Sequence, residues 1–92
     1  MSKWAPKNIS EGCKDILQRL INQSRIGGKH IPECICLGWI KHLPKSEHRQ
    51  ALKDWKWCIK EGLVLTKPKP SERHIFLNPK KVNEIKKLVG LL

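Results

Sequence analysis

The chain has 92 residues, which allows one domain with a single modest core and excludes two. Its 19 basic residues outnumber 8 acidic ones, and the formal net charge of +11 favours an anionic partner: nucleic acid, an anionic membrane surface or an acidic protein. No apolar run approaches the ~18 residues that span a bilayer, and the N-terminus lacks the apolar core of a signal peptide, so we expect an intracellular location in the cytoplasm, nucleoid or nucleus.

A first helix is predicted over residues 9–24, after a polar lead-in at residues 1–8. Apolar side chains recur there at helical intervals; they are Ile9, Cys13, Ile16, Leu17, Leu20 and Ile21. Ser10 is a candidate N-cap, because its hydroxyl can accept a hydrogen bond from the first turn. Gly27 and Gly28 then break the helix, because glycine lowers helix propensity and permits a left-handed exit.

A second, short helix is predicted over residues 32–43. Pro32 suits the first helical position, and Glu33 places a negative charge in the first turn, where the helix dipole favours it. Pro44 ends the segment, because proline disfavours helical geometry in the residue before it. The link of about three or four residues to the next helix is typical of a helix-turn-helix arrangement.

The third predicted helix, residues 46–61, has Ser46 as a candidate cap and Gly62 as a stop signal. Its apolar face comprises Ala51, Leu52, Trp55, Cys58 and Ile59. A second face holds basic side chains within about 60° of one another, namely Arg49, Lys53, Lys56 and Lys60. Like charges repel, so this stripe lowers helix stability unless an anion neutralises it. A separate acidic line offsets part of that effect; it comprises Glu47, Asp54 and Glu61.

The hydrophobic period changes after the third helix, where a two-stranded β-hairpin is predicted over residues 63–77. Its apolar runs flank a polar, proline-stiffened and net positive tip at Lys67–Arg73, longer than a tight turn requires. These two runs make an α+β domain the expected fold class.

A C-terminal helix is predicted over residues 79–90, because Asn78 and Pro79 supply a cap and a first helical proline. Its apolar stripe comprises Val82, Ile85, Leu88 and Val89. The stripe ends in Leu88, Val89, Leu91 and Leu92. Two roles remain open for it: packing on the core of the same chain, or pairing two chains as a homodimer.

The order helix, helix-turn-helix, hairpin, helix resembles the winged helix-turn-helix family of DNA-binding domains. Three stretches carry the resemblance: the third helix running into Glu61–Val64, the basic tip Lys67–Arg73, and the return through Ile75–Pro79. In that family the second helix of the pair lies in the major groove, and the wing tip touches the backbone or the adjacent minor groove. The resemblance implies a winged helix that binds duplex DNA, as a transcription regulator or as the DNA-targeting domain of a larger protein. A protein–protein, RNA or single-strand adaptor is the alternative.

The resemblance also implies roles for individual residues. Arg49, Gln50 and Lys53 would lie nearest the base edges, because Arg can donate two bonds to guanine and Gln can pair with adenine. Phosphate contacts would come from the helix through Lys45, Lys56 and Lys60, and from the wing through Lys67, Lys69 and Arg73. The alternative for all of these is a solvated charged surface. Trp57 lies between the basic and acidic lines, where it could stack on an exposed base or pack against the wing or a partner.

The sequence predicts no cofactor, no metal site and no enzymatic activity. Cys13, Cys34, Cys36 and Cys58 occupy apolar positions and are expected to be reduced and buried. Zinc modules typically pair two Cys-x2–4-Cys units, whereas Cys-x-Cys within a helix points its members about 200° apart. No Ser-His-acid set, glycine-rich phosphate loop or pair of inward carboxylates is recognisable in the sequence.

Overall fold

The computed structural model describes residues 8–91, which form an α+β fold. The predicted lead-in therefore lies outside the described residues except for Asn8. The elements follow one another as α1 (Glu11–Asn22), β1 (Ile31–Pro32), α2 (Glu33–Gly38), α3 (Lys45–Lys60), β2 (Val64–Lys67), β3 (His74–Leu77), a 3-10 helix (Pro79–Lys81) and α4 (Val82–Leu88). Within this part of the chain, no helix is long and apolar enough to cross a membrane.

The described strands form one three-stranded antiparallel sheet in the order β1-β3-β2. In the hairpin, Val64 pairs with Leu77 and Lys67 pairs with His74. The prediction of a two-stranded hairpin was therefore incomplete, because β1 adds a third strand by pairing Ile31 with Ile75. A strand of two residues that ends in proline shows no apolar alternation, so the sequence pattern does not reveal it.

The core lies between α1, α3 and the inner face of the sheet. Ile16, Leu17 and Leu20 of α1 and Trp55 of α3 are buried in it. Gly12 lets the two helices approach closely: a Cβ at this position would lie 2.8 Å from Leu43 Cδ1 and 2.9 Å from Ala51 Cβ. α4 closes the core from the C-terminal side, with Ile85, Leu88 and Val89 buried. These three residues of the apolar stripe pack within the chain, whereas Leu91 is 50% exposed, so pairing of two chains stays a prediction.

Local signals explain where several elements begin and end. Ser10 caps α1, where its Oγ accepts a hydrogen bond from Cys13 N at 3.4 Å. Asn78 caps the 3-10 helix before α4, where its Oδ1 accepts from Lys80 N at 3.0 Å. Gly62 follows α3 with a φ of +77°, a left-handed conformation that glycine adopts without strain. The signals at Ser10 and Gly62 were predicted from the sequence and are confirmed. Asn78 is a cap as predicted, but of a 3-10 helix; the α-helix predicted over residues 79–90 is α4, Val82–Leu88.

The boundaries of the helix-turn-helix pair differ from those predicted. The second helix ends at Gly38 rather than at residue 43, and turns continue to residue 42. Pro32 is its N-cap residue rather than its first helical residue. The third helix begins at Lys45 after Pro44, so Ser46 does not cap it. Six-residue helices such as α2 depend on tertiary packing more than on local signals, which makes their ends hard to predict.

Candidate nucleic-acid interface

The basic side chains of α3 lie on one exposed face of the helix. All of them are exposed: Lys45, Arg49, Lys53, Lys56 and Lys60. At 100° per residue they fall within about 80° of one another, and at 1.5 Å per residue they extend over about 22 Å of helix. The opposite side of α3 faces the core through Ala51, Trp55 and Cys58. The face therefore offers a row of positive charge to solvent; we refer to these five residues as the α3 basic face.

The acidic side chains of α3 lie away from the α3 basic face. Glu47 lines a shallow depression with Glu11 where the first turns of α1 and α3 meet. Asp54 is only 1% exposed, which contradicts the expectation that it belongs to an acidic line on the surface. Its Oδ2 accepts a hydrogen bond from the backbone N of Ser10 at 2.7 Å, so the carboxylate supports the start of α1. The carboxylate of Asp54 is therefore not exposed beside the α3 basic face.

Gln50, a candidate for base contact, is held by the same carboxylate. Its Nε2 donates to Asp54 Oδ1 at 3.1 Å, although the side chain is exposed. A paired contact with adenine uses both the donor and the acceptor of the amide, so Gln50 must leave Asp54 before it can make one. Arg49 and Lys53, on the α3 basic face itself, need no such release to reach an anion.

Part of the positive charge predicted for the wing is exposed at the hairpin loop between β2 and β3, residues 68–73. Lys67, the last residue of β2, and Lys69 are exposed. Arg73 has a structural partner: its Nε donates to Glu33 Oε1 at 2.7 Å and its Nη2 to Glu33 Oε2 at 2.9 Å. The fork of its guanidinium is therefore occupied, unlike the ammonium groups of the two lysines.

The carboxylate of Glu33 accepts hydrogen bonds from a second residue besides Arg73. Its Oε2 also accepts from Trp55 Nε1 at 2.7 Å, and its side chain is 15% exposed. The hydrogen bonds from Arg73 hold the pKa of Glu33 below its usual value; burial opposes this shift and the Trp55 bond adds to it. The same pairing raises the pKa of Arg73. The sequence suggested only a favourable dipole contact for Glu33, because its partners lie 22 and 40 residues away.

Trp57 is half-buried and packs against the hydrophobic core. This packing is on the core of the same chain, which neither interpretation drawn from the sequence named, so base stacking by Trp57 stays a prediction. Trp55 forms the large buried anchor of α3, at 2% exposure.

A histidine pair lies at the end of the sheet, near the lysines of the hairpin. His30 Nδ1 and His74 Nδ1 are 2.7 Å apart, with their rings arranged edge to face. Sequence reasoning did not identify this pair, because 44 residues separate the two histidines and only the pairing of β1 with β3 brings them together.

The cysteines do not cluster as a metal site. Cys13 and Cys58 are buried with sulfur atoms 3.9 Å apart, and burial raises the pKa of the Cys36 thiol to about 12. Cys34 is exposed, contrary to expectation, and donates to Glu72 Oε1 at 2.8 Å, which raises the pKa of this thiol. Across residues 8–91, no group of three or more His, Cys, Asp or Glu side chains is placed to hold a metal ion.

The exposed cations of α3 and of the hairpin are the main features of the candidate interface. No protein-family model, curated protein or solved structure matches the chain. The exposed cations of α3 and of the hairpin, and the segregation of the nearby carboxylates, are therefore the features from which a function can be inferred.

Proposed function

We propose that the chain is a nucleic-acid-binding module of the winged-helix type that binds duplex DNA. The α3 basic face would lie in the major groove, and the hairpin loop would lie against the backbone or the adjacent minor groove. One observation carries the proposal: five cations line one face of α3 with no carboxylate among them. Repulsion within such a face lowers the stability of the free protein, and phosphates that neutralise its charges remove that repulsion.

The arrangement of elements supports this proposal. α2 and α3 are joined through turns, and α3 ends at Gly62 and leads directly into β2. β3 returns into the 3-10 helix and α4. These are the features on which the resemblance to winged helices rests.

The proposed mechanism combines phosphate neutralisation with limited base readout. Lys45, Lys56 and Lys60 would contact phosphates from α3, and Lys67 and Lys69 would do so from the hairpin. Arg49 and Lys53 lie on the central turns of the α3 basic face, where they would approach base edges, and a guanine can accept two bonds from Arg49. Such a module would serve a transcription regulator or the DNA-targeting domain of a larger protein.

A panel of labelled ligands tests the proposal: the same mixed sequence as duplex DNA, single-stranded DNA and RNA, measured by fluorescence anisotropy at constant salt. Duplex DNA should bind most tightly, because its groove accepts the whole α3 basic face. Tighter binding of RNA or single strands would instead support the adaptor alternative. Absence of binding to all three would overturn the proposal.

Charge-matched variants locate the interface. The double variant Arg49→Ala/Lys53→Ala should lower duplex affinity at least about tenfold, with an unchanged unfolding transition, because both side chains are exposed. The control Lys86→Ala/Lys87→Ala removes the same charge from α4 and should have a much smaller effect. Equal losses from the two double variants would show that overall charge, and not the α3 basic face, determines binding.

A further inference from the structure

The histidine pair occupies a strongly cationic position at the loop-side edge of the sheet, where β2 ends and where β1 and the central strand β3 begin. His30 immediately precedes β1, and His74 opens β3, opposite Lys67 in the strand pairing. Loss of solvent lowers the pKa of His30, and the positive charges of Lys67, Lys69, His74 and Arg25 lower it further. No carboxylate is among the groups that shift the pKa of His30.

Two carboxylates in adjoining segments have partners of their own. Glu33 is paired with Arg73, and Glu72 accepts a hydrogen bond from the thiol of Cys34. Among residues 8–91, no carboxylate forms an ion pair with Arg25, Lys67, Lys69 or either histidine, so an anion from outside the chain would neutralise cations that the fold leaves unpaired. We call Arg25, His30, Lys67, Lys69 and His74 the sheet-edge patch.

The contact between the two Nδ1 atoms restricts how the pair can be protonated. A hydrogen bond between them requires that one Nδ1 carries a proton and the other does not. In the neutral pair, the donating ring has a bare Nε2 and the accepting ring has a protonated Nε2. Within residues 8–91, neither Nε2 has a hydrogen-bond partner.

One proton changes what this pair can bind. A proton from solvent that adds to the bare Nε2 leaves the bond between the Nδ1 atoms intact and makes the pair a cation. Both Nε2 atoms are then donors, and oxygen atoms of a phosphate are acceptors only. A second proton would have to enter at the accepting Nδ1 and would break the pair.

We infer that the sheet-edge patch binds a phosphate group of the nucleic-acid backbone and that the His30–His74 pair takes up one proton when it does so. This inference rests on the proposed function and deepens it, because it extends the phosphate contacts of Lys67 and Lys69 to the histidine pair and makes binding depend on pH. The lysines attract a phosphate without any change of the histidines. The neutral pair adds one Nε2 donor and no charge, whereas the singly protonated pair adds two donors and a positive charge, so affinity should rise as pH falls below neutral.

The first test follows duplex binding by anisotropy at fixed salt, between about pH 7.5 and pH 5.5, where histidine is the side chain that titrates. Wild-type affinity should rise about threefold to tenfold over this range, since a pKa increase of one pH unit on binding corresponds to tenfold. His30→Gln and His74→Gln should each remove most of that rise. The control His42→Gln, an exposed histidine outside the patch, should retain it. Retention of the full rise in both patch variants would overturn the inference while the proposed function stands.

The second test does not depend on DNA. The Cε1–H resonance of His30 reports its pKa in the full chain, with and without saturating inorganic tripolyphosphate. The polyanion should raise the pKa of His30 by at least about half a pH unit, because a nearby negative charge favours the protonated ring. If no duplex binds at any pH, the proposed function fails, and an unchanged His30 pKa in tripolyphosphate would overturn the patch as well. A raised pKa in that case would support the patch as a phosphate site on its own.

Discussion

Trp55 Nε1 donates a hydrogen bond to Glu33 Oε2 at 2.7 Å, which connects the core side of α3 to the first residue of α2. The same carboxylate receives both hydrogen bonds from Arg73, the residue before β3. One carboxylate thus joins the helix pair to the base of the hairpin. This connection sets how the cations of the hairpin are placed relative to those of α3.

Removal of the charge on Glu33 should destabilise the fold. Glu33→Gln retains an acceptor for Trp55 but loses the paired contact with the guanidinium, so we expect the free energy of unfolding in urea to fall by about 1–2 kcal/mol. The control Glu11→Gln removes an exposed carboxylate that lies 3.5 Å from Lys14 Nζ. An exposed pair contributes little, so its loss should cost about 0.5 kcal/mol or less. Equal losses in the two variants would contradict the role of Glu33.

The contribution of Glu33 should also disappear in acid. Its pKa in the folded state lies below the usual value of 4.5, so the folded protein binds this proton less readily than the unfolded chain does. The stabilisation is therefore complete above the unfolded pKa and is lost as pH falls through the lower, folded value. The difference in unfolding free energy between wild type and Glu33→Gln should be constant near neutral pH and shrink below about pH 4.5. A difference that stays constant down to about pH 3 would show that the ionised carboxylate is not its source.

Gly12 should not tolerate a methyl group, although alanine favours helices. Gly12→Ala gains up to about 1 kcal/mol in helix propensity, but its Cβ would lie 2.9 Å from Ala51 Cβ, which has no side-chain torsion to relieve the clash. Overpacking costs about 1–3 kcal/mol, so the variant should be less stable by about 1 kcal/mol in urea unfolding. Gly38→Ala is the control: its Cβ would have no neighbour within 4 Å, and we expect equal or greater stability. A stabilised Gly12→Ala variant would mean that α1 can move away from α3.

The features of the fold that depend on contacts between residues close together in the sequence could be predicted. The cap at Ser10, the glycine exit at Gly62 and the start after Asn78 each depend on contacts within a few residues, and the structure has all of them. The exposed basic side of α3 follows from helical periodicity in the same way. These features predicted the presence of the helices and the hairpin, but not the ends of α2 or the way in which the elements pack.

The features that required tertiary structure could not be predicted in this way. Asp54 has the spacing of a surface residue on α3, yet it is buried because α1 presents the backbone N of Ser10 to it. The sequence predicts a wing cation at Arg73, whose partner Glu33 lies 40 residues earlier in the chain. A short strand, β1, brings His30 to His74. Each of these contacts joins elements whose relative placement no local pattern encodes.

Duplex affinity should fall steeply with salt, because binding releases counterions from the DNA. With about 5–7 phosphate contacts, the logarithm of affinity should fall against the logarithm of salt concentration with a slope of about −5. Lys56→Ala removes one contact and should bring the slope to about −4. The control Lys87→Ala removes an exposed charge from α4 and should leave the slope as it is. A wild-type slope near zero would exclude phosphate neutralisation as the mechanism.

Variants at Arg73 and Lys69 test which of these cations stabilises the fold and which one binds DNA. Arg73→Lys keeps the positive charge but loses the fork that holds both oxygens of Glu33, so we expect the free energy of unfolding to fall by about 1–2 kcal/mol. Duplex affinity, measured well below the melting temperature, should stay within about twofold of wild type because the charge is retained. Lys69→Ala should behave in the opposite way, with unchanged stability and an affinity lower by about threefold or more, because the lysine is exposed at the hairpin loop. If Arg73→Lys instead weakens DNA binding as much as Lys69→Ala does and leaves stability unchanged, Arg73 contacts the nucleic acid and its bond to Glu33 opens on binding.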